Sequence, residues 1–284
     1  MLDDQQLRWV LGVAGAEPRE VHGLRSGGAP WLLQFDDREF VLRVAPDAET
    51  VQIERKALVL AGAHGIAVPR LIAASNDPPL LLIERVRGSS AIPRQRPTAR
   101  LRRLGELAAR VHSIHVPFGF GLPERERSIA DVDFDALRAA QPSQPLLVQA
   151  EEVARSYRPS GPAGLVHGDL WQGNAIWDGD DLMAVIDWDC AGAGQAGIDL
   201  GSARCDAATA FGVAAADDVL AGWQTAAGRP PDDVAYWDVV GALSTPPDMG
   251  WFVESVVGQG RSDLRRDVMV ERRDDFLRAA LDAL

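Results

Sequence analysis

The sequences His167-Gly-Asp-Leu-Trp-Gln-Gly-Asn174 and Ile186-Asp-Trp-Asp189 decide how this chain is interpreted. Strand-like segments surround them, at residues 164–166, 175–177 and 182–186. The last two segments are separated by polar turn residues, which predicts a hairpin. Such a hairpin would return Asp187 to the side of Asn174. The spacing therefore predicts that an aspartate, an asparagine and a second aspartate meet at one site.

These residue types suit the transfer of a phosphoryl group. His167, Asp169 and Asn174 have the spacing of the protein-kinase catalytic loop, in which an asparagine follows the aspartate by five residues. Asp169 would position the attacking hydroxyl group. Asn174 and Asp187 would offer oxygen atoms to Mg²⁺, which prefers a few protein oxygens together with phosphates and water. We expect His167 to organise the loop rather than to take part in the chemistry.

The segment resembles the aminoglycoside phosphotransferase family, small-molecule kinases of protein-kinase-like fold whose signature is HGDxxxxN followed by ID(W). The resemblance implies that Asp169 is the catalytic aspartate and that Asn174 and Asp187 bind Mg²⁺. Asp199 resembles the downstream family aspartate that braces the catalytic loop. One departure is that Gly194-Gln-Ala196 stands where the family has Gly-Asp-Pro.

The resemblance extends to the first half of the chain. The strand Phe40 to Val44 matches the strand that carries the phosphate-anchoring lysine, but the residue here is Arg43. Lys56, the only lysine among 29 Lys and Arg residues, falls in a predicted helix and not on that strand. An arginine can hold phosphate oxygens with its planar fork of donors. The resemblance implies Glu54 as its partner, with Glu49 as the alternative.

Two further segments are expected to contact the nucleotide. Leu81 to Gly88 resembles the hinge that reads the adenine edge through its backbone, and Glu84 and Val86 are the expected contributors. The turn Ser26-Gly-Gly28 stands where a phosphate-covering loop would lie, although a protein kinase's G-x-G-x-x-G is absent. No Ala-Pro-Glu triplet follows Asp187, which argues against a protein substrate.

The predicted fold is α+β, with two lobes of protein-kinase-like architecture. An antiparallel sheet with an inserted helix would form a nucleotide-binding lobe over residues 1–87, with the hinge at about 84–88. The Pro- and Arg-rich segment that follows, and then long amphipathic helices, predict a larger, mainly helical lobe over residues 88–284. This second lobe would carry the catalytic hairpin and the acceptor site.

The composition restricts the partners. The chain has 284 residues, 46% of them hydrophobic, and 41 acidic residues against 29 basic ones give a net charge of −12. This charge argues against nucleic acid as a partner and suits a cationic small molecule. The apolar runs are much shorter than the roughly 20 residues of a membrane span, and the first residues are acidic, unlike a secretory signal. We therefore expect a cytoplasmic protein with no membrane partner.

We expect an ATP-dependent O-phosphotransferase that uses Mg²⁺, with GTP as the alternative donor. The favoured acceptor is a hydroxyl group of an aminoglycoside or a similar antibiotic. The first alternative is a metabolic kinase acting on a sugar, a choline-like compound or an amino-acid alcohol, and the second is a nucleotide-binding pseudokinase. The candidate acceptor-binding residues are Asp189, Asp248, Trp251 and Glu254. The sequence makes no prediction of oligomeric state.

Overall fold

A five-stranded antiparallel sheet forms the N-terminal part of the computed structural model, which describes residues 2–25 and 28–284. Its strands lie in the order β1-β2-β3-β5-β4. The strands are β1 (Glu20–Arg25), β2 (Gly28–Gln34), β3 (Glu39–Val44), β4 (Leu71–Asn76) and β5 (Pro79–Glu84). Two helices accompany the sheet, α1 (Asp4–Ala14) before it and α2 (Ala48–Ala63) between β3 and β4.

The first helix and the first strand are not predicted from the sequence. Helix α1 begins with a capping box. The Asp3 carboxylate accepts hydrogen bonds from backbone amides of the first turn, and the Asp3 amide donates to the side-chain oxygen of Gln6. It buries Val10 against Leu33, Leu42 and other apolar residues of the sheet. Every residue of β1 is exposed, so this edge strand lacks the alternation that identifies a strand in a sequence.

The C-terminal part is mainly helical. Its helices are α3 (Thr98–His112), α4 (Phe134–Ala139), α5 (Pro145–Ser156), α6 (Gly197–Phe211), α7 (Ala216–Ala227), α8 (Val234–Leu243), α9 (Gly250–Gly258) and α10 (Arg266–Asp282). Its strands are β6 (Ala163–Val166), β7 (Ala175–Asp178), β8 (Asp181–Val185) and β9 (Gly192–Gln195). Short 3-10 turns cover Gln172–Asn174, Trp188–Cys190 and Val213–Ala215. The predicted α+β fold, a sheet followed by a helical part, is confirmed.

Two small antiparallel sheets position the chemistry-bearing loops. Strands β7 and β8 form the predicted hairpin, and β6 pairs with β9. Strand β9 is not predicted from the sequence, because Gly-Ala-Gly-Gln has low strand propensity. Together the two pairs anchor both ends of residues 167–174 and both ends of residues 186–191.

The largest hydrophobic cluster joins the two parts of the chain. Leu58 of α2 and Ile83 of β5 belong to the same cluster as Leu104 of α3, Trp188 and Val219 of α7. The polypeptide nevertheless passes from β5 to α3 through irregular structure, apart from a bridge between Ser89 and Trp177. The division into lobes at about residue 88 stays a prediction.

The arginine-rich segment after the hinge is paired with acidic groups. Arg96 and Arg102 contact Asp218 of α7, and Arg103 lies 2.6 Å from Asp181 of β8. These contacts neutralise much of the local positive charge. Over residues 2–25 and 28–284, no helix is both long enough and apolar enough to cross a bilayer.

Candidate active site

The loop from His167 to Asn174 leaves β6 and enters β7, and a buried carboxylate holds its start. Asp199, in the first turn of α6, accepts hydrogen bonds from the backbone amides of His167 at 2.7 Å and Gly168 at 2.8 Å. Burial alone would raise the pKa of Asp199, but hydrogen bonds from His112 and the loop outweigh it and the pKa falls below its usual range. Asp199 is therefore ionised and fixes the start of the loop through these two hydrogen bonds.

A hydrogen-bonded chain behind Asp199 was not predicted from the sequence. Trp223 of α7 donates from Nε1 to Nδ1 of His112 at 3.0 Å, and Nε2 of His112 lies 3.1 Å from Asp199. Because an indole nitrogen only donates, His112 must carry its proton on Nε2. The residues lie in different helices with no fixed spacing, so the sequence offers no signal for this chain.

His167 lies inside the protein, next to the ring of Trp188 at a centroid distance of 4.5 Å. Its Nε2 is 2.9 Å from the carbonyl oxygen of Ile186, and the amide of Asp169 donates to its Nδ1 at 3.3 Å. Burial lowers the pKa of His167, so the ring is neutral with its proton on Nε2. The ring thereby ties the catalytic loop to the residue before Asp187.

Asp169 and Asn174 face each other across the loop. The Asn174 amide nitrogen donates to the Asp169 carboxylate at 2.8 Å and to its backbone carbonyl at 2.9 Å. Burial, and next the charge of Asp187, raise the pKa of Asp169 to about 7. Asp169 can thus accept a proton or a strong hydrogen bond near neutral pH. Since the side-chain nitrogen of Asn174 is already bonded, its side-chain oxygen Oδ1 is the atom left for a ligand.

Asp187 lies beside this pair, as the hairpin predicts. The amide of Ile186 donates to the carbonyl of Asn174 at 2.9 Å, which brings the two segments together. Asp187 has a φ of +69°, a left-handed conformation that aspartate tolerates better than most residues. Burial works to raise the pKa of Asp187, but Arg43 and Arg25 outweigh it and hold the pKa below its usual value. A carboxylate that stays ionised suits a cation ligand.

Arg43 connects β3 with three acidic side chains. Its Nε donates to Glu54 at 2.8 Å, and its Nη2 contacts both Asp187 and, at 3.2 Å, Asp189. The structure therefore pairs Arg43 with Glu54 of α2, whereas Glu49 is exposed in the first turn of the same helix. Lys56 lies away from this network, where its Nζ donates to the carbonyl of Gly121 at 2.9 Å.

The two residues of the predicted hinge, Glu84 and Val86, differ in which backbone groups remain unbonded. The amide of Glu84 donates to the carbonyl of Arg70 at 2.9 Å, so only the Glu84 carbonyl remains for an adenine. The carboxylate of Glu84 pairs with Arg70 at 3.0 Å. Val86 is half-buried. In the predicted phosphate-covering turn, Ser26 and Gly27 lie outside the described residues.

The four candidate acceptor residues do not form one group. Asp189 belongs to the Arg43 network and is one-third exposed. Asp248 is occupied, because its carboxylate accepts from Arg266 at 2.8 Å and from the Gly250 amide at 3.0 Å. Trp251 is 40% exposed and stacks on Phe134, and Glu254 is exposed on the same helix. A separate groove of about 940 Å³ is lined by residues of α4, α5 and α8, and none of the four candidate residues lines it.

Residues 20–237, which are most of the chain, match the sequence profile of the phosphotransferase enzyme family. The chain belongs to this family. As a family member it is an enzyme, a phosphotransferase whose acceptor is an alcohol group of a small molecule. No curated protein sequence matches the chain.

Solved structures of phosphotransferases share the fold over nearly the whole chain. The macrolide 2′-phosphotransferase MphH from Brachybacterium faecium is 18% identical, covers 95% of this chain and 98% of its own, and has a TM-score of 0.65. The AMP-bound spectinomycin phosphotransferase APH(9)-Ia is 10% identical, with coverages of 99% and 98% and a TM-score of 0.67. A choline/ethanolamine kinase family protein from Mesorhizobium loti is 15% identical, with coverages of 93% and 88% and a TM-score of 0.57. At these identities the likeness establishes the fold of this phosphotransferase.

Proposed function

We propose that this phosphotransferase moves the γ-phosphoryl group of ATP, with Mg²⁺, to a hydroxyl group of an aminoglycoside or a similar antibiotic. The main support for this chemistry is that Asp169, Asn174 and Asp187 lie together. Asn174 is bonded to Asp169, and Ile186, the residue before Asp187, is bonded to Asn174. The nucleotide would lie between the hinge and Arg43, with the Glu84 carbonyl and the Val86 amide available to the adenine edge.

The donor set fits Mg²⁺. Within the described ranges 2–25 and 28–284, no three acidic, histidine or cysteine side chains are grouped to hold a metal by themselves. Asn174 and Asp187 would offer one amide oxygen and one carboxylate, which is the small protein contribution that Mg²⁺ accepts when nucleotide phosphates supply the rest. Such an ion would neutralise charge on the transferring phosphoryl group.

Asp169 would orient the acceptor hydroxyl and take up its proton. Its pKa of about 7 matches that task near neutral pH, because a useful base is ionised but still attracts a proton. The Asn174 amide fixes one carboxylate oxygen, so the other can face the acceptor. Arg43 would hold phosphate oxygens, with Glu54 keeping the guanidinium in place. Positioning and charge neutralisation would therefore provide most of the rate enhancement.

The antibiotic acceptor is supported by one carboxylate beside the site and by an exposed aromatic ring in the same helical part of the chain. Asp189 is partly exposed beside Asp187, and Trp251 presents an exposed ring on α9. A carboxylate and an aromatic platform suit an acceptor that is polar and cationic. Asp248 is left out of the proposed acceptor site because its carboxylate is already bonded to Arg266 and Gly250.

A metabolic acceptor is the second candidate, since the fold is shared with a choline/ethanolamine kinase family protein as well as with antibiotic phosphotransferases. ADP release in the presence of Mg²⁺ and ATP should be measured over aminoglycosides, macrolides, spectinomycin, sugars and amino alcohols. Turnover with an antibiotic at low micromolar concentration supports the first candidate. Turnover confined to a sugar or an amino alcohol would replace it with the second.

A further inference from the structure

Arg25 links the N-terminal sheet to Asp187. It is the last residue of β1 and pairs with Gly28 of β2 across the hairpin. Its Nη2 lies 3.5 Å from Oδ2 of Asp187, which follows β8 in the C-terminal part of the chain. The ion pair therefore brings Arg25 to the same carboxylate that Arg43 contacts, next to the place where the proposed function requires nucleotide phosphates. None of the sequence motifs includes Arg25.

The two oxygens of Asp187 are held by two different arginines. Arg43 contacts Oδ1, and Arg25 lies against Oδ2. Arg43 is 17% exposed and is also bonded to Glu54 and Asp189, so its position is fixed by several contacts. The side chain of Arg25 is 60% exposed, and within the described part of the chain Asp187 is its one ion-pair partner. An exposed single ion pair is weak and exchanges readily. Arg25 is thus the movable member of the pair.

We infer that Arg25 is a phosphate ligand of the bound nucleotide, held on Asp187 until the nucleotide enters. This inference rests on the proposed function. A guanidinium group that donates to a carboxylate can donate to a phosphate in the same planar geometry. When Arg25 exchanges the Asp187 carboxylate for a phosphate oxygen, Oδ2 of Asp187 becomes free for a cation. Asp187 then has cationic partners in both states, Arg43 and Arg25 without nucleotide, and Arg43 and a bound cation with it.

Removal of Arg25 should change the affinities for ADP and for a divalent cation in opposite directions. Without Arg25, ADP loses a donor to its phosphates and should bind more weakly in the absence of metal. A divalent cation alone no longer competes with Arg25 for Oδ2 and should bind more tightly. Adenosine, which has no phosphate, should bind as before. An ion pair that only stabilised the fold would also free Oδ2 for a cation when Arg25 is removed, but it would not weaken the binding of ADP while leaving the binding of adenosine unchanged.

The test uses the full-length protein with Arg25→Ala, Arg25→Lys and, as a control, Arg19→Ala. Arg19 precedes the same strand but pairs with Asp36. Calorimetry in EDTA gives the Kd values for ADP and adenosine, and electron paramagnetic resonance gives the Kd for Mn²⁺ alone. Arg25→Ala should weaken ADP binding about tenfold, the loss expected for one charged hydrogen bond. Adenosine should be unaffected, and Mn²⁺ binding should tighten several-fold. Arg25→Lys should fall between Arg25→Ala and the unmodified protein for ADP.

Two results would overturn the inference and leave the proposed function intact. One is an unchanged Kd for ADP in Arg25→Ala, and the other is an equal loss for ADP and adenosine. A protein that binds neither ADP nor Mn²⁺ before any substitution would contradict the proposed function itself, and the inference would fall with it. Arg19→Ala should match the unmodified protein in every measurement, and a loss of ADP binding there would also count against a specific role for Arg25.

Discussion

The charge on Asp169 disfavours the folded state, although the proposed reaction requires it. Its pKa is raised to about 7 from an ordinary value of 3.8, so the folded protein holds this proton more tightly than the unfolded chain does. Stability therefore decreases as pH rises from about 4 to 7, and the penalty is fully present above the folded pKa. Asp169→Asn removes the ionisable group but keeps an oxygen that can accept from Asn174.

We expect Asp169→Asn to lower kcat by a factor of about 10² to 10⁴, the usual contribution of a positioned base. The same variant should be more stable than the unmodified protein by about 1–2 kcal/mol at pH 8, and by less at pH 5. Denaturant unfolding at both pH values measures the difference. An advantage that does not change with pH would mean that Asp169 is not the titrating group.

Activity should follow the same group. The kcat/KM for the acceptor should rise as pH increases through about 7, because the ionised form of Asp169 is the proposed recipient of the hydroxyl proton. A pH–rate profile at saturating Mg²⁺ and ATP checks this, with stability monitored over the same range. A profile that stays flat between pH 5.5 and 8 would contradict the role proposed for Asp169.

Gly168 shows why the loop carries glycine before the aspartate. Its φ is +82°, and a Cβ atom there would lie 2.1 Å from the carbonyl oxygen of Cys190. Gly168→Ala should destabilise the protein by about 2 kcal/mol or more and abolish turnover, because both the backbone strain and the clash must be relieved. The matched control is Gly179→Ala, since Gly179 also has positive φ but has no atom within 4 Å of the added Cβ. If both variants lose equal stability, the clash is unimportant.

At the scale of elements, Arg43 joins β3, α2 and the segment after β8 through one guanidinium group. Arg43→Met would leave the buried Glu54 without its cation, which should cost about 3 kcal/mol. The double variant Arg43→Met with Glu54→Leu should recover part of that loss, because the orphaned carboxylate is gone. Denaturant unfolding of both variants provides the test. Equal losses in the single and double variants would contradict the assigned pairing.

The helices α3, α6 and α7 act on the catalytic loop through the chain Trp223, His112 and Asp199. Trp223→Phe keeps an aromatic ring at this position but removes the donor to His112, so the histidine tautomer is no longer fixed. We expect stability to fall by about 1 kcal/mol and kcat to fall several-fold with an unchanged Kd for ADP. Trp31→Phe in β2 is the control. Unchanged kcat in Trp223→Phe would limit this chain to a structural role.

At the scale of the whole molecule, local signals were enough to predict the α+β fold and the hairpin that brings the proposed site residues together. The apolar segments 175–177 and 182–186 with a polar turn predicted the hairpin, which the structure forms at 175–178 and 181–185, and the hairpin predicted that Asp187 meets Asn174. The single lysine directed attention to Arg43, which the structure places against Asp187. These inferences succeed because the residues involved are close in sequence or joined by one turn.

Other features depend on contacts between distant segments. Helix α1 and the exposed strand β1 have weak patterns, and β9 is made of small residues that pair only because β6 lies beside them. The pairing of Asp248 with Arg266 comes from the approach of α10 to the start of α9, which no local spacing reports. Arg25 and His112 likewise reach the site through the fold. The acceptor site is the least predictable part, because several helices contribute to it.

The most direct test of the phosphotransfer centre is transfer of labelled γ-phosphate from ATP by the unmodified protein and by Asp187→Asn, with Mg²⁺ and the best acceptor. Asparagine keeps the size of the side chain and tolerates the positive φ at this position. We predict transfer by the unmodified protein and a loss of about a thousandfold or more in the variant, the scale of catalysis by positioned charge. Circular dichroism should show an unchanged fold. Transfer by Asp187→Asn at the unmodified rate would contradict the assignment of Asp187 and, with it, the proposed centre.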